Sequence, residues 1–397
     1  MNIKRKEFLQ IGSLATASVM LPQFLKAFEK KNMVPAGNKV VVVIQFSGGN
    51  DGLNTVIPIT NDIYYRERPR LGIAKNKALS LTDYVGLNPS LEAFKGLYDD
   101  GSLAVLNSVG YPNPDRSHFR SMDIWHSASA SNEYVNTGWL GRYLDAQCKG
   151  CDKPTQALEI DNVLSLALKG SEKNGLAFTD PRRLYSSSNE KFYKDINASH
   201  QSSEATVDYL YKTMSETLSS ADYIFQQSRL HPTNAVYPTT ELGKNLKTIA
   251  SLIMSDINTK VYYVSLGSFD THVNQEAQQK RLFTELNDAV KAFTGDLKKN
   301  NRFNDVLMMT FSEFGRKVSQ NASNGTDHGT ANNMFFISGE LKEKGILNDM
   351  PNLADLNDGD LKHKVDFQNV YATVLNKWLG SDDKKILGKQ YDYLKFI

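Results

Sequence analysis

The chain has 397 residues, with 46 lysines and arginines against 44 aspartates and glutamates, a formal net charge of +2. So even a balance implies neither a nucleic-acid partner nor an anionic membrane surface, since both need basic patches. The length is ample for a large core, and α/β enzymes of this size are often one domain carrying insertions.

The first residues read as an export segment. Lys4-Arg5-Lys6-Glu7-Phe8-Leu9 precedes a mildly apolar stretch, Ile11 to Leu21, that ends at Pro22, a charged region followed by a short apolar one. The arrangement is that of a twin-arginine signal with Lys6 in place of the second arginine. Its eleven apolar-stretch residues are too few to span a bilayer, which needs about twenty. No Ala-x-Ala cleavage site stands out, so retention as an N-terminal anchor stays open. Residues 1–33 are assigned to signal and linker, and 34–397 to one α/β domain.

Lys39 to Phe46, KVVVVIQF, is the β-branched run expected of a strand buried on both faces of a parallel sheet. It runs into Ser47-Gly-Gly-Asn-Asp51-Gly52, where glycines permit a sharp turn and Asp51 offers a carboxylate at the strand end. An Asp-Gly turn without a ligand is the alternative. Further on, Asp115-Arg-Ser-His precedes a helix-like stretch. Cys148 and Cys151 follow the helical pattern Trp139 to Ala146, which fits a local disulfide in an oxidising compartment better than a redox pair opening a helix.

Ser186 to Glu204 is polar and rich in Ser and Asn, and Ala205 to Leu230 and Glu241 to Ile257 show helical spacing, so a helical insertion is expected at about 186–257. Tyr209, Leu210, Met214, Leu218, Tyr223 and Phe225 read as the packing stripe of its first helix. Val261 to Leu266 is a second strand, followed by Asp270 and His272 and then by a long helical pattern from about Val273 to Lys299. Val306 to Met309 is a third apolar run, and the loop behind it holds Glu313, Asp327 and His328.

Three strand ends thus carry acids and imidazoles, and loops at the carboxyl ends of parallel strands form the ligand crevice of open α/β sheets. Four carboxylates brought together out of water could not all ionise without cations. Oxygen and imidazole donors without thiolate suit zinc, manganese, magnesium or calcium, as one ion or two. For Asp327-His328 alone, a helix cap or turn is the competing reading.

The segments GGNDGLNTVIP (48–58), RSHFRSMDIWHS (116–127), FDTHVNQ (269–275), TFSEFGR with GTDHG, and VYATVLNKWLG (370–380) resemble the exported bacterial family called domain of unknown function 1501. That family is grouped with the alkaline phosphatase superfamily, whose phosphatases, sulfatases and phosphoglycerate mutases share an α/β sandwich. The resemblance implies an alkaline-phosphatase-like fold with a mostly parallel sheet and helices on both faces, in the periplasm or at the surface of a bacterium. It implies metal ligation by Asp51, Asp270, His272, Asp327 and His328. The superfamily commonly puts three residues between the Asp and His of the second pair, whereas this chain puts one.

A nucleophile is implied between the first strand and the middle of the chain, and Ser117 is the position that matches. Arg116, His118 and Arg120 could then hold an oxyanion, with Glu313 and Arg116 positioning or polarising; the other reading of Ser117 is a helix N-cap. A further metal-binding histidine usually follows the Asp-His pair, and this chain offers only His363, within a charged Lys-His-Lys run. No Cys-x-Pro-x-Arg or Ser-x-Pro-x-Arg segment is present, which argues against a standard sulfatase. The expected function is hydrolysis of a small-molecule phosphate or related ester; the rival is a non-catalytic exported binding or assembly protein. A metal-free sugar hydrolase would need two carboxylates about five to ten ångströms apart.

Overall fold

The computed structural model describes residues 38–147, 154–190 and 205–397. The export segment, the Cys148 to Cys151 turn and the side chains of Tyr209, Leu210 and Met214 lie outside the described residues.

The Val40–Phe46 strand sits in the middle of the main sheet. Its residues are buried throughout, and alternate side chains enter two different cores: Val40, Val42, Ile44 and Phe46 one, Val41 and Val43 the other. A run of β-branched residues with no polar alternation has this outcome because strand side chains alternate between faces and both faces here are covered. Each fully buried Val or Ile contributes about 1.5–3 kcal/mol by burial.

Among the described residues the sheet has nine strands, in the order Gly345–Ile346, Leu103–Gly110, Asn332–Ile337, Val306–Ser312, Val40–Phe46, Val261–Leu266, Ala157–Glu159, Leu176–Ala177, with Val365–Asp366 also against Leu103–Gly110. Every pairing is parallel except the two made by Asn332–Ile337.

One face is covered by the helices Glu92–Asp99, Glu241–Met254 and Gln275–Lys299, the other by His118–Ser127, Trp139–Gln147 and Phe367–Thr373. The expected α/β sandwich is therefore the fold, with helices on both faces of a mostly parallel sheet. The Ala205–Leu230 helix has the anticipated extent; Leu218 and Tyr223 are buried, and Phe225 stacks on Tyr185 with ring centroids 4.4 Å apart. The long helix begins at Gln275 rather than Val273, because Asn274 takes a left-handed conformation at its N-cap and so ends the loop that carries His272. No helix of the described residues is long and apolar enough to cross a membrane.

Candidate metal centre

Phe46 pairs in register with Leu266 on one side and with Ser312 on the other, so three consecutive strands of the sheet end at the same level. The loops that follow emerge side by side, as a parallel arrangement requires. Their approach is close. Gly48 has φ +119°, and a Cβ there would lie 2.4 Å from the backbone nitrogen of Asp270, so only glycine fits.

Arg316, 2% exposed, holds the three loops together. Its Nε donates to the Gly49 carbonyl at 2.6 Å and its Nη1 to the Thr326 carbonyl at 3.0 Å, while Nη2 donates to the carbonyls of Gly48 and of Phe269 and to Asp270 Oδ1 at 2.7 Å. The planar fork of a guanidinium suits such a junction, where a lysine would offer one point charge.

Within this frame, His118, Asp270 and His328 bring one donor atom each to within 4.8 Å of the others, and His272 joins at the rim. His272 Nε2 lies 2.9 Å from His328 Nε2 and 3.0 Å from Asp270 Oδ1. His328 Nε2 lies 3.3 Å from Asp270 Oδ1, and His118 Nε2 lies 3.6 Å from Asp270 Oδ2.

Each outer nitrogen has an acceptor behind it. His328 Nδ1 is 2.8 Å from the Arg116 carbonyl, which only accepts, so that nitrogen carries the hydrogen. His118 Nδ1 is 2.9 Å from Glu313 Oε1, and His272 Nδ1 is 3.2 Å from Asp327 Oδ1; both carboxylates accept in the same way. The inner nitrogens of all three rings are directed at Asp270, and His118 Nε2 is buried with no hydrogen-bond partner. Acceptors behind the rings that fix the ligating nitrogen are what metal-binding histidines have.

Edges between ligands in a tetrahedral zinc site measure about 3.3 Å for bonds of 2.0–2.1 Å; the contacts to Asp270 are close to this, and the three donors together stay within 4.8 Å of one another. Imidazole-rich donors suit zinc better than calcium, magnesium or manganese. The residues present thus fit a divalent cation.

The electrostatics follow from the same contacts. Glu313, 1% exposed, accepts from the Gly48 amide at 2.8 Å as well as from His118. Its hydrogen bond raises the His118 pKa against the opposing effect of burial. Burial lowers that of His328, the bond to the Arg116 carbonyl opposing it. Burial alone would raise the carboxyl of Asp270, but the hydrogen bond and charge of Arg316 outweigh it and hold it below its usual range. Asp327 is lowered chiefly by its bond from Asn321.

Asp51 does not join this cluster. Its Oδ2 is bound by Arg68 and by Gln275 Nε2, with the side chains of Asp51 and Arg68 1% and 0% exposed. A guanidinium thus faces one oxygen of this carboxylate, while the other, Oδ1, is buried without a hydrogen-bond partner, and of the anticipated four carboxylates this one lies apart from the imidazoles. Nothing in the sequence marked Arg68 or Gln275 as its partners.

Ser117 is exposed at the N-cap of the His118–Ser127 helix, and its side chain makes no capping bond. Its own amide donates to Asp115 Oδ1 at 2.7 Å. Both chain neighbours are anchored in the cluster, Arg116 through its carbonyl and His118 through its ring. The guanidinium of Arg116 turns instead to Asp360, and that of Arg120 donates to the carbonyls of Ser131 and Glu133 and lies over the Tyr134 ring. His118, expected beside an oxyanion, stands with the metal-ligand candidates. Its one sequence signal is that it follows the end of a fourth strand, Leu103–Gly110. His363 is half-buried beside the end of that strand.

A family model described as protein of unknown function (DUF1501) matches residues 103–393, a span that leaves out the Val40–Phe46 strand and Asp51. No curated protein matches the chain. Among solved structures, the PsFucS1 sulfatase from Pseudoalteromonas sp. is similar at 12% identity and a TM-score of 0.41, covering 99% of this chain and 75% of that one. A protein in the alkaline phosphatase superfamily from Vibrio parahaemolyticus is similar at 10% identity and a TM-score of 0.38, covering 98% and 78%. The lipoteichoic acid synthase LtaP from Listeria monocytogenes matches at 9% identity and a TM-score of 0.38, covering 98% and 80%. At such identities and scores none of these likenesses bears on the chemistry of the site.

Proposed function

The chain belongs to the family described as protein of unknown function (DUF1501), and for this member we propose an exported, metal-dependent hydrolase of phosphate or related esters. The observation that carries the reading is the set of three imidazoles whose outer nitrogens are held by Glu313, Arg116 and Asp327, with the inner ones directed at Asp270. Without a cation or an added proton, the His272 and His328 lone pairs would face each other at 2.9 Å. His118, Asp270 and His328 would hold the cation, zinc being the ion that best suits them, with His272 at the rim and a position left open for the substrate.

A divalent cation held there would act as a Lewis acid on an anionic ester oxygen. The chain's own residues supply the rest. Ser117, hydroxyl uncommitted and both neighbours anchored, attacks phosphorus; the ester bond to the alcohol breaks, and the serine proton ends on the departing alcohol oxygen. Water then cleaves the serine phosphate and releases inorganic phosphate. Glu313 keeps the His118 proton on Nδ1, and Arg316 holds Asp270 ionised and the three loops at fixed spacing.

The rival reading, a non-catalytic binding protein built on the same cluster, is favoured by one fact: the guanidiniums of Arg116 and Arg120 are both engaged elsewhere, so neither is poised over Ser117. Turnover of an aryl phosphate separates the two readings. Hydrolysis abolished by Ser117→Ala and by a chelator supports the enzyme, whereas a metal-loaded protein inert toward phosphate and sulfate esters contradicts it.

A further inference from the structure

The turn Asn357-Asp358-Gly359-Asp360 closes a short hairpin against the loop that carries Asp327 and His328. Asp358 and Gly359 take φ of 52° and 77°, the two left-handed residues that a two-residue hairpin turn needs and that an Asp-Gly pair supplies readily. Leu356 then pairs with Leu361, and Asn357 with Asp360. The hairpin is fastened to the loop beneath it: Val318 donates its amide to the Gly359 carbonyl at 3.3 Å, and Thr330 its hydroxyl to the Leu361 carbonyl at 2.6 Å.

The two aspartates of this turn differ. The Asp358 side chain is 79% exposed and that of Asp360 1%. The Arg116 guanidinium donates to Asp360 Oδ2. Oδ1 has no hydrogen-bond partner among the described residues and lies 3.8 Å from the Lys317 ammonium. A carboxylate buried with one oxygen unsatisfied costs stability, so the reason for it must be sought in what it holds. Its two cations come from the two segments that meet at the cluster. Arg116 precedes Ser117 and His118, and its own carbonyl stands 2.8 Å from His328 Nδ1. Lys317 follows Arg316, and its amide donates to the Asp327 carbonyl at 3.0 Å. Asp360 therefore ties the start of the His118–Ser127 helix to the loop that bears His328.

We propose that Asp360 is a positioning residue of the metal centre: by holding the Arg116 side chain it keeps the carbonyl of that residue behind His328, and so keeps His328 Nε2 turned to Asp270. Arg116 acts on the cluster through its main chain, and its guanidinium is the handle by which the hairpin holds it. Asp358, exposed and 3.4 Å from the same guanidinium, adds little, as surface ion pairs do. The proposal rests on the metal-centre reading of His118, Asp270 and His328.

The test measures zinc affinity, by competition with a chelator, and the visible spectrum of the cobalt-substituted protein, which reports ligand geometry. Both are read in the parent and in folded Asp360→Asn and Asp358→Asn variants. Asp360→Asn removes the charge and keeps the shape. Zinc affinity is expected to fall about tenfold, the low end for a group that supports a ligating histidine, and the cobalt bands to shift or lose intensity. Asp358→Asn, which keeps a residue tolerant of the left-handed turn, is expected to match the parent in both. Arg116→Met combined with Asp360→Leu removes the buried charge together with its partner; it is expected to weaken zinc equally, and it decides alone if Asp360→Asn fails to fold. Parent-like affinity and cobalt bands in the folded Asp360 variant, whatever its melting temperature, overturn the proposal and leave the metal centre standing, as does an equal loss in Asp358→Asn. A parent that binds neither metal removes the metal centre and the proposal together.

Discussion

His118 Nδ1 and Glu313 Oε1 are 2.9 Å apart across 195 residues of chain, and this contact connects the start of a helix to the end of a central strand. Glu313 is buried, so its charge acts on the imidazole with little screening. Glu313→Gln keeps the shape and an acceptor but removes the charge. Metal affinity is expected to fall by about 10- to 100-fold, the usual consequence of losing a partner behind a ligating histidine. The His118 pKa falls with it. Competition with a chelator measures the first and histidine proton resonances against pH the second; unchanged affinity would contradict the role given to Glu313.

Arg316 satisfies carbonyls on all three loops and neutralises Asp270. Arg316→Met leaves those buried oxygens without donors and Asp270 without its cation. Denaturant titration should show a loss of about 3–5 kcal/mol. A loss under about 1 kcal/mol would mean that the loops are held by other contacts.

Asp51 and Arg68 form a buried pair with side chains 1% and 0% exposed. Removing either partner strands the other, so Arg68→Met is expected to lower stability by about 3–5 kcal/mol. Asp51→Asn destabilises for the same reason but leaves the metal content of the folded protein unchanged. Loss of metal from a folded Asp51→Asn variant would place Asp51 among the ligands after all.

Burial pushes the Glu159 carboxyl up to about 7, from 4.5, against the lowering effect of the Ser165 amide. The folded chain then holds the proton more tightly than the unfolded one, so the contribution is intact below about pH 4.5 and is lost as pH rises through about 7. Glu159→Gln removes this loss. Its melting temperature should exceed that of the parent at about pH 8, by the equivalent of at most about 3 kcal/mol, and match it at about pH 4. A variant less stable at the higher pH would contradict the assignment.

The central strands were legible because strands buried on both faces lose polar alternation, and Val40–Phe46, Val261–Leu266 and the start of Val306–Ser312 all read as apolar runs without it, Gln45 and Ser265 being single polar residues near two of the strand ends. Parallel order then brings Asp270, His272, Asp327 and His328 together, since loops on adjacent strand ends must meet. Other parts were not legible for an equally physical reason. Asp51 sits on the same level, yet its partner Arg68 comes from a segment whose sequence carries no pattern tying it to that turn. The placement of His118 depends on the pairing of Leu103–Gly110 with the strand Asn332–Ile337, a long-range fact that no local period encodes.

The central claim is that His118, Asp270 and His328, with His272 at the rim, hold one divalent cation. The direct measurement is metal content by elemental analysis of the natively purified protein after dialysis, beside His328→Ala and Asp270→Asn variants that remain folded. The account predicts close to one zinc per chain in the parent and a large loss in both variants, with added zinc raising the melting temperature of the metal-stripped parent alone. A parent with no bound metal and no stabilisation by zinc, or variants that retain the parent's metal, would contradict it.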